Sequence, residues 1–404
     1  EPEPEPEPEP APEPEPEPPT DIYLSANTIN ENNNINDPIG AFTNDINSTL
    51  CTYSLGESKN ENNFRIVGNI LKANVVFDYE SPTMSMSNPQ IIDVIILSDG
   101  ISHHTKEFEI HIQDVVESTG GGTYMDGYIS GASGGLYDVN DLTNAIETFI
   151  TGPYGNYELY TPIDDFPIVY AIIFSPGGTD ISTGKTITNE MSSISTKEKA
   201  QESSSAILNV TPITTVLTEI VKANKTEGAD IDSTILATSV SQIETVFGIT
   251  AEEIEEDFIQ EGNKSISKIV TQLEITTTTL STAIDDTAVT KSSILSSIAQ
   301  TIIDTNNASP SATLDLADTT AVSSIITQVA TISDITINET IVEKSTAFIS
   351  NVNENIATIV ESSESSFEDV ITESTQIQVA TNNIITNEAV DFTDSELDIT
   401  STTQ

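Results

Sequence analysis

Apolar and polar positions alternate through the first half of the chain and recur every three to four residues through the second. In Glu107–Ile112, Phe108, Ile110 and Ile112 fall on one side and Glu107, Glu109 and His111 on the other, the period of a half-buried strand. Phe64–Leu71 holds two apolar runs split by Gly68-Asn69, a two-residue hairpin signal. Ile91–Leu97 is apolar on both sides except at Asp93, as a strand inside a sheet would be. Runs of this kind, separated by Asn, Asp, Gly and Pro, predict seven strands over residues 21–118 and an immunoglobulin-like sandwich. Gly120-Gly121-Gly122 reads as a hinge, and a smaller β module is predicted over 123–200.

Beyond residue 205 the period changes to that of a helix. Thr211-Pro212 is an N-cap followed by Pro at the first helical position, and Ile213, Val216, Leu217, Ile220 and Val221 make one apolar face. Thr250 with Glu253 spells a capping box, and Gly248 and Gly262 stand where helices end. Val322, Ile325, Val329 and Ile332 form one seam, and Val342, Ile349, Val352, Ile356 and Ile359 another. Two arrangements of 205–390 satisfy this spacing, an intramolecular bundle or a homo-oligomeric coiled coil. Residues 391–404 carry little pattern and are expected to be disordered. The fold class is therefore multidomain: an all-β part followed by a mostly α-helical one.

Composition agrees with the division. All ten Tyr precede residue 171 and 16 of the 19 Gly precede residue 185. Residues 1–20 hold ten of the 19 prolines in a Glu-Pro repeat, which implies an extended polyproline II linker of roughly 60 Å at ~3.1 Å per residue. With 13 Lys+Arg against 64 Asp+Glu, the formal charge of -51 excludes nucleic acid and anionic lipid as partners and favours divalent cations. One cysteine, Cys51, excludes an internal disulfide framework. The longest apolar runs are too short for a transmembrane segment. Glu at position 1, with no signal peptide, suggests a piece of a longer protein.

Five short segments in order give residues 21–117 a resemblance to a cadherin repeat. They are Ile29-Asn30-Glu31-Asn32, Thr43-Asn44-Asp45-Ile46-Asn47, Phe77-Asp78-Tyr79-Glu80, Asp99-Gly100 and Ile112–Glu117, with Thr52–Leu55 between the second and third. The resemblance implies Ca²⁺ bound at one pole by Glu31, Asp78, Glu80 and Asp114, with Glu117 in the closing segment. At the opposite pole it implies Asp45 and Asn47, where Asn47 replaces a family aspartate. Val116 also replaces a family oxygen ligand, so the closing pattern is incomplete. The chemistry is consistent, since Ca²⁺ takes 6–8 oxygen ligands and clustered carboxylates repel one another without it. Residues 123–200 resemble the small β-sandwich repeats of the carboxypeptidase-regulatory or SdrD B-like kind, with Asp138, Asn140 and Asp141 in a polar loop. As an EF-hand that loop fails, because Leu142 and Phe149 stand where oxygen ligands belong.

Catalytic patterns are poorly supported. Gly131-Ala132-Ser133-Gly134-Gly135 has the spacing of a nucleophile elbow, but His103, His104 and His111 all lie upstream of it, and His103 and His104 are expected on a hairpin turn. Gly178–Thr186 departs from a phosphate loop in its glycine spacing and carries Asp180. Asn-x-Ser/Thr triplets at Asn47, Asn209, Asn224, Asn263 and Asn338 are ordinary in so Thr-rich a chain. The expectation is a non-enzyme: an extracellular or membrane-associated surface protein, Ca²⁺-binding, acting in cell adhesion or surface structure through a protein or cell-surface partner. The alternative is a virion or appendage component of tail-fibre type, with β modules on the host and helices for oligomerisation.

Overall fold

The computed structural model describes residues 18–46, 51–58, 60–79, 89–98, 101–115, 117–361 and 366–386. The chain divides into two compact units between Glu117 and Ser118. Expectations for the 1–17 part of the Glu-Pro linker, for Asn47, Glu80, Asp99-Gly100 and Val116, and for the 391–404 tail fall outside the described residues.

The first unit contains β1 (Ile22–Leu24), β2 (Thr28–Asn30), β3 (Pro38–Asn44), β4 (Thr52–Leu55), β5 (Phe64–Val67), β6 (Ile70–Ala73), β7 (Gln90–Ser98) and β8 (Ile101–Gln113). These make two four-stranded sheets, ordered β1-β3-β6-β5 and β2-β8-β7-β4. Seven expected strands become eight segments because the first changes sheets. β1 pairs antiparallel with β3, and β2 then pairs parallel with β8 in the other sheet. Gly68-Asn69 closes the β5–β6 hairpin as expected, with Val67 opposite Ile70 and Gly68 at φ +64°. Phe42, Phe64, Leu71, Phe77, Ile92, Ile96 and Ile110 fill the space between the sheets. His103 and His104 are strand residues of β8 and not hairpin residues, with His104 opposite Ile96, while His111 lies on the same strand as expected, beside Thr28. The β8 segment from Ile101 onward continues the ladder, so the turn ends before the histidines.

The second unit begins with nine strands: β9 (Gly120–Thr123), β10 (Ile129–Ser130), β11 (Ser133–Asp138), β12 (Glu147–Ile150), β13 (Asn156–Leu159), β14 (Val169–Phe174), β15 (Thr179–Asp180), β16 (Met191–Thr196) and β17 (Ala206–Ile207). Gly120–Gly122 are not a hinge. They form β9, the middle of a three-stranded sheet ordered β13-β9-β17. A Cβ on Gly121 would lie 2.2 Å from the Tyr157 carbonyl oxygen, and one on Gly120 2.3 Å from that of Ala206. The glycine triplet thus allows two strands to close on β9. β12-β11-β14-β16 is the larger sheet, and β10 with β15 a small ribbon. Ser133 opens β11 and so stands at a strand end without an elbow; the neighbouring Gly134 leaves room for the rings of Phe149 and Phe174. Asp180 closes its own loop, accepting from the Ser182 amide and hydroxyl and from the Thr183 hydroxyl.

The helices are α1 (Lys197–Ser203), α2 (Pro212–Asn224), α3 (Ser233–Phe247), α4 (Ala251–Glu255), α5 (Phe258–Glu261), α6 (Lys264–Ala283), α7 (Lys291–Ala308), α8 (Thr319–Ile332), α9 (Glu339–Glu361) and α10 (Phe367–Thr386). Thr211 caps α2 and Thr250 caps α4 in reciprocal capping boxes, and Gly248 and Gly262 end α3 and α5 in the left-handed region. The change in composition near residue 200 is not a break in the fold. β17 adds to β9, Tyr124 bridges Val210, and Met125, Val139, Val169 and Ile194 join the helical core of Ile213, Val216, Ile243, Leu273 and Ile298. Val322, Ile325 and Val329 are buried in that core, while Val352 and Ile356 pack with Ile275 and Phe348. Most seam positions are thus filled within the chain, with Ile332 left exposed and Val342 and Ile359 half-buried.

Threonine and serine tolerate burial here because their hydroxyls bond back along the helix. Thr271, Thr276 and Thr277 donate to the carbonyls of Ser267, Gln272 and Leu273 at 2.7–2.9 Å, and Ser297 and Thr301 do the same in α7. A hydroxyl so engaged presents mainly its methyl and methylene surface to the core.

Candidate functional site

The candidate site lies at the pole of the first unit where β2 ends, β3 begins and β8 runs out. Asn30-Glu31-Asn32-Asn33-Asn34 makes the turn there. Asn32 and Asn36 take positive φ, +54° and +86°, a conformation asparagine accepts more readily than most residues. This turn directs Glu31 inward, where it is only 3% exposed. One carboxylate oxygen accepts the Tyr79 amide at 2.6 Å and the other the Val115 amide at 2.7 Å. The Glu31 amide itself donates to Gln113 at 3.0 Å and that of Asn32 to Phe77 at 2.9 Å. A single buried side chain therefore ties together the segments carrying Asp78 and Asp114.

Asn33, which the sequence reading did not single out, completes the lacing. It is 8% exposed; its amide nitrogen donates to Val75 at 2.9 Å and its oxygen accepts the Phe77 amide at 2.9 Å. The run of asparagines was the available signal, since a side chain that both donates and accepts is what a buried turn needs. Asn32 also donates to the Glu117 carboxylate. Asp78, Asp114 and Glu117 are exposed.

The pole thus assembles main chain more completely than carboxylates. Among the described residues, no three His, Cys, Asp or Glu side chains come close enough to hold a metal ion. The donor types suit a hard cation, with Glu31 between two acidic segments, but Glu31 is already engaged with two amides.

Asp45 lies beyond the far end of β3, a seven-residue strand of roughly 23 Å at ~3.3 Å per residue. It is separated from Glu31 as expected, and its carboxylate is used locally. It accepts the Thr20 hydroxyl at 2.6 Å and the Thr20 amide at 3.1 Å, and the hydroxyl bond foremost holds its pKa below the ordinary aspartate value. Nearby, Asp21 accepts from Lys106 Nζ at 2.9 Å, which lowers its pKa in the same way.

In the second unit Asp138 and Asp141 form turns with the amides of Asn140 and Thr143, at 2.9 and 3.1 Å. Asn140 turns away from them to clasp Ile231, donating to its carbonyl at 3.1 Å and accepting its amide at 2.8 Å. These three residues fasten the loop and are not drawn together around a common point.

No protein-family profile and no curated protein matches the sequence. Weak structural neighbours are cadherin extracellular domains. Human mucin-like protocadherin EC1-2 aligns at TM-score 0.21 and 12% identity over 47% of this chain and 99% of that one. Drosophila N-cadherin EC1-3 aligns at TM-score 0.18 and 13% identity over 46% and 67%. No helix among the described residues is long and apolar enough to cross a membrane.

Proposed function

We propose that this chain is an extracellular, Ca²⁺-stabilised adhesion or surface-structural protein, with residues 21–117 as its ion-binding module. One observation supports the reading: the buried Glu31 carboxylate spans the Tyr79 and Val115 amides, which brings the chain at Asp78–Tyr79 and at Asp114–Val115 to one pole. Ca²⁺ there would be held by Glu31, Asp78, Asp114 and Glu117, joined by Glu80. Bound cation relieves the repulsion of carboxylates gathered at a strand end and stiffens the exit of β8. The exposed sheet faces are then presented in a fixed orientation to a protein or cell-surface partner.

Thermal unfolding of the chain in 10 mM CaCl₂, against MgCl₂ and chelator, tests the reading. With affinity of ~10⁻⁴–10⁻³ M, usual for extracellular modules, linkage gives about 1.4–2.7 kcal/mol. In a unit of about 100 residues that raises the transition by roughly 10 °C. A transition that ignores millimolar Ca²⁺, with no heat on titration, would end the proposal.

A further inference from the structure

The second unit holds a partly open pocket of about 280 Å³ lined by the loop after β9, the turn after β15 and helices α5, α6 and α10. Its lining includes the polar Asp126, Ser374 and Gln378 and the apolar Phe258, Val270 and Ile371. Two polar atoms there lack a hydrogen-bond partner: Asp126 Oδ1 and Ser374 Oγ. Ser374 is 3% exposed and Gln378 7%. Buried polar groups are rarely left unmet, because each costs the full desolvation of a hydrogen-bonding atom. Two of them on one cavity mark a place prepared for a molecule that supplies donors.

Charge selects the kind of molecule. Asp180, 2% exposed, and Glu274, paired with Lys291 Nζ at 2.5 Å, lie close enough to act electrostatically on Asp126. Lys185 stands within the influence of the same Glu274–Lys291 pair. Asp257 borders the cavity wall through the Tyr128 hydroxyl at 3.3 Å. Carboxylates outnumber ammonium groups around the cavity, so an anionic ligand is rejected. A metal ion fits less well than an organic cation, since the lining offers one carboxyl beside neutral oxygens and hydrocarbon, and no metal-holding trio occurs among the described residues. A primary ammonium brings three donors on one atom.

We infer that this cavity binds a small primary alkylammonium compound, its nitrogen on Asp126 and Ser374 and its carbon body against Phe258, Val270 and Ile371. Burial first, then Glu274 and Asp180, hold the Asp126 pKa well above the ordinary aspartate value, against the opposing pull of Lys291. The ligand-free carboxyl is therefore protonated through part of the range above pH 4. An ammonium ligand needs it ionised, so binding expels a proton and tightens as pH rises toward the raised pKa.

Titration calorimetry of the full chain with isobutylammonium chloride, at constant ionic strength, tests the inference against isobutanol, isobutyrate and CaCl₂. The expected result is saturable 1:1 binding of the amine alone, tightening by up to ~10-fold per pH unit within the titrating window and releasing up to one proton in buffers of different ionisation heat. Asp126→Asn weakens it by at least ~10-fold, and Ser374→Ala by roughly 3–10-fold. Should Asp126→Asn fail to fold, Ser374→Ala and the pH dependence decide the matter. Equal binding of isobutanol, binding indifferent to both substitutions, or displacement of the amine by equimolar Ca²⁺ overturns the inference. So does the absence of saturable heat.

Discussion

Gly121→Ala destabilises the β13-β9-β17 sheet by about 3 kcal/mol or more. Gly121 sits at φ +152°, where a side chain is strained by ~1–3 kcal/mol, and a Cβ there would stand 2.2 Å from the Tyr157 carbonyl oxygen. That oxygen is backbone in a paired strand, and β13 must separate from β9 to make room. Tyr157 does not move alone. Its ring lies 4.6 Å from Phe149 and 5.5 Å from Phe174 in the aromatic part of the core. Gly131→Ala is the control: φ is +71°, with nothing within 4 Å of the added carbon, so only the backbone strain of ~1 kcal/mol applies. Hydrogen exchange at residues 119–124, 156–159 and 206–210 reads the difference directly. Unchanged protection in Gly121→Ala would return the triplet to the status of a linker.

The same triplet explains where the sequence could and could not be read. Side-chain periodicity makes Phe108, Ile110 and Ile112 legible as an inward row, and Gly68-Asn69 legible as a turn, because both depend on residues close in sequence. Three glycines give no side-chain pattern, so their role depends entirely on which strands approach, and those come from residues 156–159 and 206–207. Composition misleads near residue 200 for a related reason. Tyrosine and glycine cease there, yet Ile213 and Val216 pack with Met125 and Ile194 as readily as with one another, because hydrophobic burial is indifferent to sequence distance. At the candidate pole the acidic segments were legible and their lacing was not. Asn33 is conspicuous only once Val75 and Phe77 are seen beside it. Asp126 belongs to the same class, since nothing in Met125-Asp126-Gly127 distinguishes a buried carboxyl from an exposed turn residue.

Glu31→Gln lowers the stability of the first unit by about 3 kcal/mol, a fall of roughly 15 °C for a unit of about 100 residues. The amide keeps one acceptor oxygen and places an NH₂ group against the other backbone N–H, at Tyr79 or Val115. One charge-assisted bond, worth ~1.5–3 kcal/mol, is lost and a donor is left unmet beside it. Glu31→Asp gives an intermediate loss, because the shorter side chain reaches one amide and not both. Combined with the cation titration, these variants separate two roles of the pole. If Ca²⁺ stabilises the native chain and has no effect on Glu31→Gln, the carboxylate serves the ion as well as the amides. If Glu31→Gln loses 3 kcal/mol while Ca²⁺ acts on neither protein, Glu31 is a clasp between β2, residue 79 and the exit of β8, and the adhesion reading loses its ion. A Glu31→Gln variant as stable as the parent would contradict the hydrogen-bonded geometry itself, since a buried residue 3% exposed cannot exchange an acceptor for a donor without effect.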